Sequence, residues 1–252
     1  MAWNKYSIIR LATVDSTNRY MRDEACDLWN RHGENGVVVV TAEHQTAGRG
    51  QRGNTWSSNA GENLLFSILV RPGEALKVTE QFRLSQAVAL SLHDAMRHYG
   101  IDVRFKWPND IYVENRKLAG ILLELDYMGN TVEQAIIGIG INVNQVSFPT
   151  MDRIPVSMRM LQGREFILDD ILATVLDSFE HHYQELRSGN GNAIAAEYTG
   201  LLLGMGVQRT FVDKNGRFAG VIKGIESDGH LLVQRNDCCT GRYAFKEVEM
   251  EL

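Results

Sequence analysis

The stretch Gly48-Arg49-Gly50-Gln51-Arg52-Gly53 packs three glycines and two arginines into six residues. Glycine reaches positive φ without steric cost, so such a segment brings backbone close to a ligand. The arginines add fixed charge and planar donor forks that match phosphate or carboxylate. The loop follows the apolar run 37–41 and precedes Trp56, so it reads as an anion-binding loop at the end of a buried strand. A surface hairpin turn is the plainer alternative, but turns rarely combine three glycines with two arginines.

The same spacing fits G-x-G-x-x-G, which in a dinucleotide fold needs a helix opening on the last glycine and an acid about 20 residues later. Residues 54–61, Asn-Thr-Trp-Ser-Ser-Asn-Ala-Gly, are turn-rich and carry no helical period. Arginines inside the loop would also fill the space where a pyrophosphate rests on bare backbone. The Rossmann reading fails on context.

A chain of 252 residues with 44% apolar and 23% charged residues is long enough for a full core in one large domain, or in a large one with a small appendage. Its net charge of -5 argues against general nucleic-acid binding but leaves room for a local basic site. No apolar run approaches a membrane span, and the N-terminus lacks a signal-peptide pattern. Cys26 and the adjacent pair Cys238-Cys239 form neither a disulfide framework nor a CxxC metal site, so a reducing cytoplasm is the expected compartment.

Read in order, residues 6–13 are apolar enough for a first strand, and Asp15-Ser16-Thr17-Asn18 offers N-caps for a helix to about Asn30 with Tyr20, Met21, Leu28 and Trp29 on its buried face. Strands follow at 36–42 and 64–70, then an amphipathic helix at 79–99 with Gly100 as its stop. His93 and His98, five apart, do not share a helix face and read as surface or boundary residues. Three strands at hairpin spacing, 103–107, 111–114 and 118–125, imply a mixed or antiparallel sheet. A further strand at 132–143 carries Gly138 and Gly140 as sites of close approach. Helices are expected from Asp169 to about Gly189 and over 193–203. Beyond Gly204 the texture changes to short strands at 207–212, 217–225, 231–234 and 243–249, so the expected organisation is a domain over 1–203 and a small β barrel over 204–252.

The second informative stretch is Lys106-Trp107-Pro108-Asn109-Asp110 with Arg116-Lys117-Leu118-Ala119-Gly120-Ile121-Leu122 close behind. Lysine within an apolar strand is costly to bury unless an anion meets it, although an edge strand lets it snorkel. Arg49, Arg52, Lys106 and Lys117 supply cations around one carboxylate, Asp110, and Asn142 is a polar residue in an apolar strand. No Ser-His-Asp set, HExxH, CxxC pair or Walker lysine is present. That inventory suits a reaction whose substrate brings the nucleophile and whose barrier is charge repulsion, as when a carboxylate attacks an α-phosphate. Magnesium would then ride on the phosphates with Asp110 as a possible ligand.

Residues 41–53 through Trp56, then 106–110, then 116–122, resemble the biotin protein ligases, and Asp15-Ser16-Thr17-Asn18 and Gly138-Ile139-Gly140-Ile141-Asn142 match further blocks of that family in order. The resemblance implies an α+β fold of the class II aminoacyl-tRNA-synthetase-like type, a mixed or antiparallel sheet with helices, plus a C-terminal SH3-like barrel. It implies a two-step ligase: biotin and ATP give biotinyl-5′-AMP, and a lysine of a biotin carboxyl carrier protein of acetyl-CoA carboxylase or a related carboxylase then attacks. By position, Ser16, Thr17, Asn18, Gln45, Gly48, Arg49, Gly50, Trp56, Lys117 and Gly120 would hold biotin. Arg49, Gln51, Arg52, Asn109, Lys117 and Asn142 would hold ATP or the adenylate, with Lys117, Arg49 and Lys106 catalytic. ATP and Mg2+ are the expected co-substrate and metal, with no tightly bound cofactor. A monomer or weak homodimer is expected.

The chain departs from the family's usual Gly-Arg-Gly-Arg-x-Gly-Arg at Gln51 and Asn54, which removes two charges from the loop, and Phe245-Lys246-Glu247-Val248 stands where the barrel usually ends near Gly-Glu-Val. The Asp15 block begins too early for the DNA-binding domain of some members, so no DNA and no membrane partner is expected. A lipoate or octanoate ligase or transferase shares the fold, but its acyl chain lacks the ureido ring that polar Ser16, Thr17 and Gln45 would serve. A non-enzymatic biotin-binding regulator would not need Lys117 and Arg49.

Overall fold

The computed structural model describes residues 6–33, 36–149, 153–236 and 239–252, with the side chain of Arg52 outside that description. Cys238 likewise lies outside the described residues.

Strands β1 (Ser7–Val14), β2 (Val37–Gln45), β3 (Leu64–Val70), β4 (Gly73–Lys77), β5 (Arg104–Lys106), β6 (Asp110–Val113), β7 (Arg116–Met128) and β8 (Thr131–Ile141) build an eight-stranded sheet. Its order is β1-β2-β3-β8-β7-β6-β5, with β4 added on β8. The β1–β2 pair is parallel and the other pairs are antiparallel, the mixed sheet expected. Helices α1 (Thr17–Asp23) and α2 (Ala25–His32) lie on one face. On the other lie α3 (Phe82–His98), α5 (Leu168–Arg187) and α6 (Gly191–Gly200), with the short α4 (Met158–Gln162) preceding α5.

Strand alternation sorts the side chains between these faces. Val37 and Val39 join the large core under α3 and α5, while Val38 and Val40 pack with Met21, Ala25 and Leu28 of α1 and α2. On β8, Ala135, Ile137, Ile139 and Ile141 belong to the large core. The opposite parity is Ile136, Gly138, Gly140 and, just beyond the strand, Asn142.

The expected single helix to Asn30 is interrupted at Glu24, which has ψ 6°. The two halves reach differently: α1, with Thr17, Asn18 and Met21 buried, lies across β2, β3 and β8, whereas α2 lies on β2. His93 is buried rather than at a boundary, because Asp94 and α5 cover it. Asp94 receives His93 Nδ1 at 3.1 Å and His182 Nε2 at 2.9 Å. Burial works against its ionisation, but these two contacts outweigh it and hold the carboxyl below the ordinary range.

The remaining strands, β9 (Gln208–Asp213), β10 (Gly216–Ile225), β11 (Leu231–Arg235), β12 (Thr240–Tyr243) and β13 (Val248–Met250), form a second, antiparallel sheet in the order β12-β11-β10-β9-β13. This is the small C-terminal β unit expected. The strand expected over 243–249 is instead two strands, broken where Lys246 takes φ 72°. The linker is tied to the first sheet: Phe105 N–H donates to Leu201 O at 3.0 Å and Leu203 N–H to Phe105 O at 2.8 Å. Phe105 also stacks on Tyr198 of α6, centroids 4.8 Å apart. One continuous apolar core runs from the helices to Phe211, Ile222 and Val233 of the second sheet.

Phe105, 1% exposed, therefore serves both the sheet and the junction. Phe105→Ala is expected to destabilise the protein by about 3–5 kcal/mol, read as a lower midpoint in urea denaturation followed by circular dichroism.

Candidate functional site

The α1 face of the sheet carries a cleft of about 1100 Å³. Two rows of the sheet underlie it, and Leu122, Gly138, Gly140 and Gly120 of these rows line it. In the first, Ser67, Gly138 and Leu122 lie side by side on β3, β8 and β7; in the second, Leu65, Gly140 and Gly120 do. A Cβ on Gly138 would collide with Oδ1 of Asn18, and one on Gly140 would lie 2.5 Å from Cε2 of Trp56. The missing side chains let Asn18 and Trp56 rest against the sheet, which is the close approach expected of both glycines.

Polar groups cluster at the Asn18 end. Gln45 Oε1 accepts from Thr17 N–H at 2.7 Å and from the Thr17 hydroxyl at 3.1 Å. Ser67 Oγ lies 2.8 Å from Thr17 Oγ1 and 2.6 Å from Asn18 Oδ1. Asn18 Nδ2 donates to Leu122 O at 3.3 Å and to Glu124 Oε2 at 3.0 Å. Ser16 is buried at the N-cap of α1, yet its hydroxyl makes no capping bond, so it remains available to the cleft.

The glycine loop closes over one side. Arg49 and Thr55 form an isolated bridge, Gly50 N–H donates to Asn54 O at 2.7 Å, and Trp56 N–H donates to Gly48 O at 2.9 Å. A 3₁₀ turn spans Gln51–Gly53, and Gly53 has φ 87°. Arg49, Gly50, Gln51 and Trp56 line the cleft. Gly48 does not line it: a Cβ there would strike the Trp56 carbonyl, so its place is in the closure of the loop.

Cations gather at the other end. Lys117 Nζ is 2.6 Å from Asp110 Oδ1 and 5.5 Å from the centre of the Trp56 ring. Arg153 Nη1 is 2.6 Å from Asp110 Oδ2. Each oxygen of the carboxylate thus already meets a cation, and a metal at Asp110 would share an oxygen with one of them or displace it. Lys106 is 8% exposed and its nearest carboxylate, Glu249, is 3.9 Å away. Burial pushes its ammonium below the ordinary lysine range, with Glu249 opposing. A buried cation so loosely paired is a place for an anion.

Asn109 ties the 107–109 turn to β7, donating to Ile121 O at 2.6 Å. Asn142, 4% exposed, donates to Lys117 O at 3.3 Å and lines the cleft beside Gly140. Residues of the second sheet, Val248, Glu249 and Met250, wall the cleft opposite.

The expected residues Ser16, Thr17, Asn18, Gln45, Lys106, Asn109, Asp110, Lys117, Gly120 and Asn142 all line this one cleft, together with the loop residues named above. Sequence reasoning missed Ser67, Glu124, Arg153 and Glu249. Ser67 had a signal, as the one polar residue in Leu-Leu-Phe-Ser-Ile-Leu-Val, and Glu124 shares the parity of Gly120 on β7. Arg153 sits in an irregular segment with no such mark.

Residues 11–142 match the model of the biotin/lipoate A/B protein ligase family. The chain is similar to the bifunctional ligase/repressor BirA of Bacillus subtilis, 34% identical over 216 residues that are 84% of this chain and 66% of that protein, so it spans just under two thirds of that relative. It is also 30% identical over 200 residues to the biotin–[acetyl-CoA-carboxylase] ligase of Mycobacterium tuberculosis, 77% of this chain and 72% of that one. Among solved structures, the biotin protein ligase of Aquifex aeolicus in complex with biotin and ATP superposes with a TM-score of 0.79, 24% identity and coverage of 97% and 98% of the two chains, which shows a shared fold. A matched domain that contains the glycine loop, the lysine-bearing strands and the glycine floor of the cleft places this chain in the biotin/lipoate A/B protein ligase family.

Proposed function

We propose that this chain is an ATP-dependent ligase that activates biotin as biotinyl-5′-AMP and passes it to a lysine of a biotin carboxyl carrier protein or domain. The observation that carries the reading is the polarity of a single cleft, with Ser16, Thr17, Asn18 and Gln45 at one end and Lys117, Lys106 and Arg153 at the other. A neutral ureido ring needs hydrogen-bond partners at the first end, and a site built for them rejects acids that lack them. The name of the Mycobacterium tuberculosis relative, a biotin–[acetyl-CoA-carboxylase] ligase, supports the substrate and the carrier.

In the first step a carboxylate oxygen of biotin attacks the α-phosphorus of ATP. An O–P bond forms and pyrophosphate leaves with the electrons of the broken P–O bond. The two reactants repel each other; Lys117 and Lys106 lower that repulsion as charges already in the cleft, and Arg49, which lines the same cleft, adds a third. Magnesium belongs to this step as part of the nucleotide substrate, screening the phosphates. In the second step the amine of the acceptor lysine attacks the carbonyl carbon of the mixed anhydride, an amide forms and AMP leaves. Gln51 and Gly50, in the loop that covers the cleft, shield the anhydride from water. Asn142 and Asn109 line the same cleft, and this reading assigns them to the nucleotide.

Residues 1–203 form the catalytic domain of this reading and 204–252 the SH3-like domain, whose Glu249 and Met250 complete the wall. Among the described residues no helix is long and apolar enough to cross a membrane. The cytoplasm, where carboxylases and ATP meet, is the compartment this reading assigns.

The test is biotin-dependent exchange of labelled pyrophosphate into ATP, with lipoate and octanoate as controls. Exchange with biotin alone is expected. Exchange with lipoate instead would transfer the chain to the sister activity, and tight biotin binding without exchange would leave a regulator. Lys117→Ala is expected to slow exchange on the order of 10²–10³-fold with the melting temperature retained, and near-normal exchange would remove Lys117 from the chemistry. Gln51→Arg restores a cation to the loop and is expected to lengthen retention of the adenylate, measured as slower release of biotinyl-5′-AMP in a filter-binding chase.

A further inference from the structure

Lys117 and Arg49, two cations that the proposed reaction sets against phosphate, are each paired with a carboxylate of the protein itself. Asp110 takes Lys117, and Glu124 Oε1 lies 3.2 Å from Arg49 Nη1. We propose that Glu124 is a positioning residue that holds Arg49 at the edge of the cleft until a phosphate-bearing nucleotide takes the guanidinium from it. This inference rests on the ligase reading above.

Glu124 is well fixed. Its other oxygen accepts from Nδ2 of Asn18, which is 3% exposed. Asn18 is itself immobilised: Nδ2 also reaches Leu122 O, Oδ1 meets the Ser67 hydroxyl, and the amide fills the space above Gly138. One carboxylate oxygen is thus held by a buried neutral donor, and the other is turned towards the arginines. Arg22 stands 3.7 Å from that oxygen but also has Asp126 at 3.5 Å. Among the described residues, Glu124 is the carboxylate paired with Arg49.

The place of Glu124 gives the pair its direction. Gly120, Ile121 and Leu122 of β7 line the cleft, and Glu124, two residues further on, does not. Gly120 is the register partner of Asp110, so the pairing draws the guanidinium along β7 towards the Asn18 end and away from Asp110. The Arg49 side chain is 43% exposed, so water screens the pair and keeps it weak. A phosphate offers the same fork a bidentate acceptor of higher charge and displaces the carboxylate. Arg49 then moves from one ordered position to another instead of being recruited from solvent. The contacts Thr17–Ser67–Asn18–Glu124–Arg49 also join the ring end of the cleft to the loop.

The test is calorimetric titration of ATP with magnesium, in the absence of biotin, into the unsubstituted chain, Glu124→Gln, Arg49→Ala and the double variant, with melting temperatures recorded. Glutamine keeps an acceptor for Asn18 and removes the competing charge, so Glu124→Gln is expected to tighten ATP binding about 2- to 5-fold, the worth of a partly exposed ion pair. In the Arg49→Ala background the same change is expected to do nothing, a coupling that a merely structural role would not produce. Unchanged or weaker binding in a Glu124→Gln protein of normal melting temperature would overturn the proposal, as would a gain that survives the loss of Arg49. Should Glu124→Gln fail to fold, Glu124→Asp, which retracts the carboxylate by one methylene, is expected to give a smaller gain in the same direction, and no gain would count against the proposal equally. ATP binding by the unsubstituted chain with an unresponsive Glu124 overturns this inference alone. No ATP binding together with no biotin-dependent pyrophosphate exchange overturns the ligase reading with it, and exchange without ATP binding by the biotin-free chain overturns this inference alone.

Discussion

Asn18 and Trp56 rest against the central sheet because β8 carries no side chain beneath either of them. Gly138 and Gly140 sit on the same face of the strand whose other face supplies Ile137, Ile139 and Ile141 to the core. The alternation of the strand thus produces a packed apolar side and a bare floor within a few residues. Two walls of the cleft are placed by that floor. Asn18 fixes the start of α1, Trp56 anchors the end of the glycine loop, and Gly120 on the neighbouring strand leaves room for Lys117. Replacing either β8 glycine by any other residue would place an atom where one of these groups already lies.

The charges on this floor obey a second constraint. A buried charge without a partner is costly, so the buried Asp110 is met by both Lys117 and Arg153, while the more exposed Arg49 is paired with Glu124. Lys106 differs in being both buried and loosely paired, and its depressed basicity registers that cost. For a ligase acting on ATP, the anionic substrate relieves the desolvation that Lys106 bears and competes for cations already in position. The site resembles a set of ion pairs poised for exchange more than an open positive pocket.

Much of this was legible from the order of residues, and the reasons are physical. Val37 to Val40 and the Leu64 strand announce themselves because buried strands are apolar on both faces. Gly138 and Gly140 stand out because glycine in such a strand serves no packing purpose of its own. The break at Glu24 was not legible, since no proline or glycine marks it and it shows only in the packing, with α1 across β2, β3 and β8 and α2 on β2. Nor was the division of the last expected strand, where Lys246 adopts a positive φ that lysine rarely takes. His93 looked like a boundary residue because the acid that satisfies it, Asp94, needs His182 of a distant helix to complete the group. Arg153 and Glu249 reach the cleft only through tertiary folding, and no local pattern could have assigned them to it.

The linker that joins the two sheets has one more effect. β5 is the last strand on its side of the large sheet, and an edge strand offers unpaired N–H and C=O groups to any passing chain. Here the protein's own residues 201–203 occupy that edge at Phe105, accepting from its N–H and donating to its carbonyl. The connection to the C-terminal unit thereby doubles as a seal, which denies intermolecular strand addition a foothold at the margin that carries Lys106.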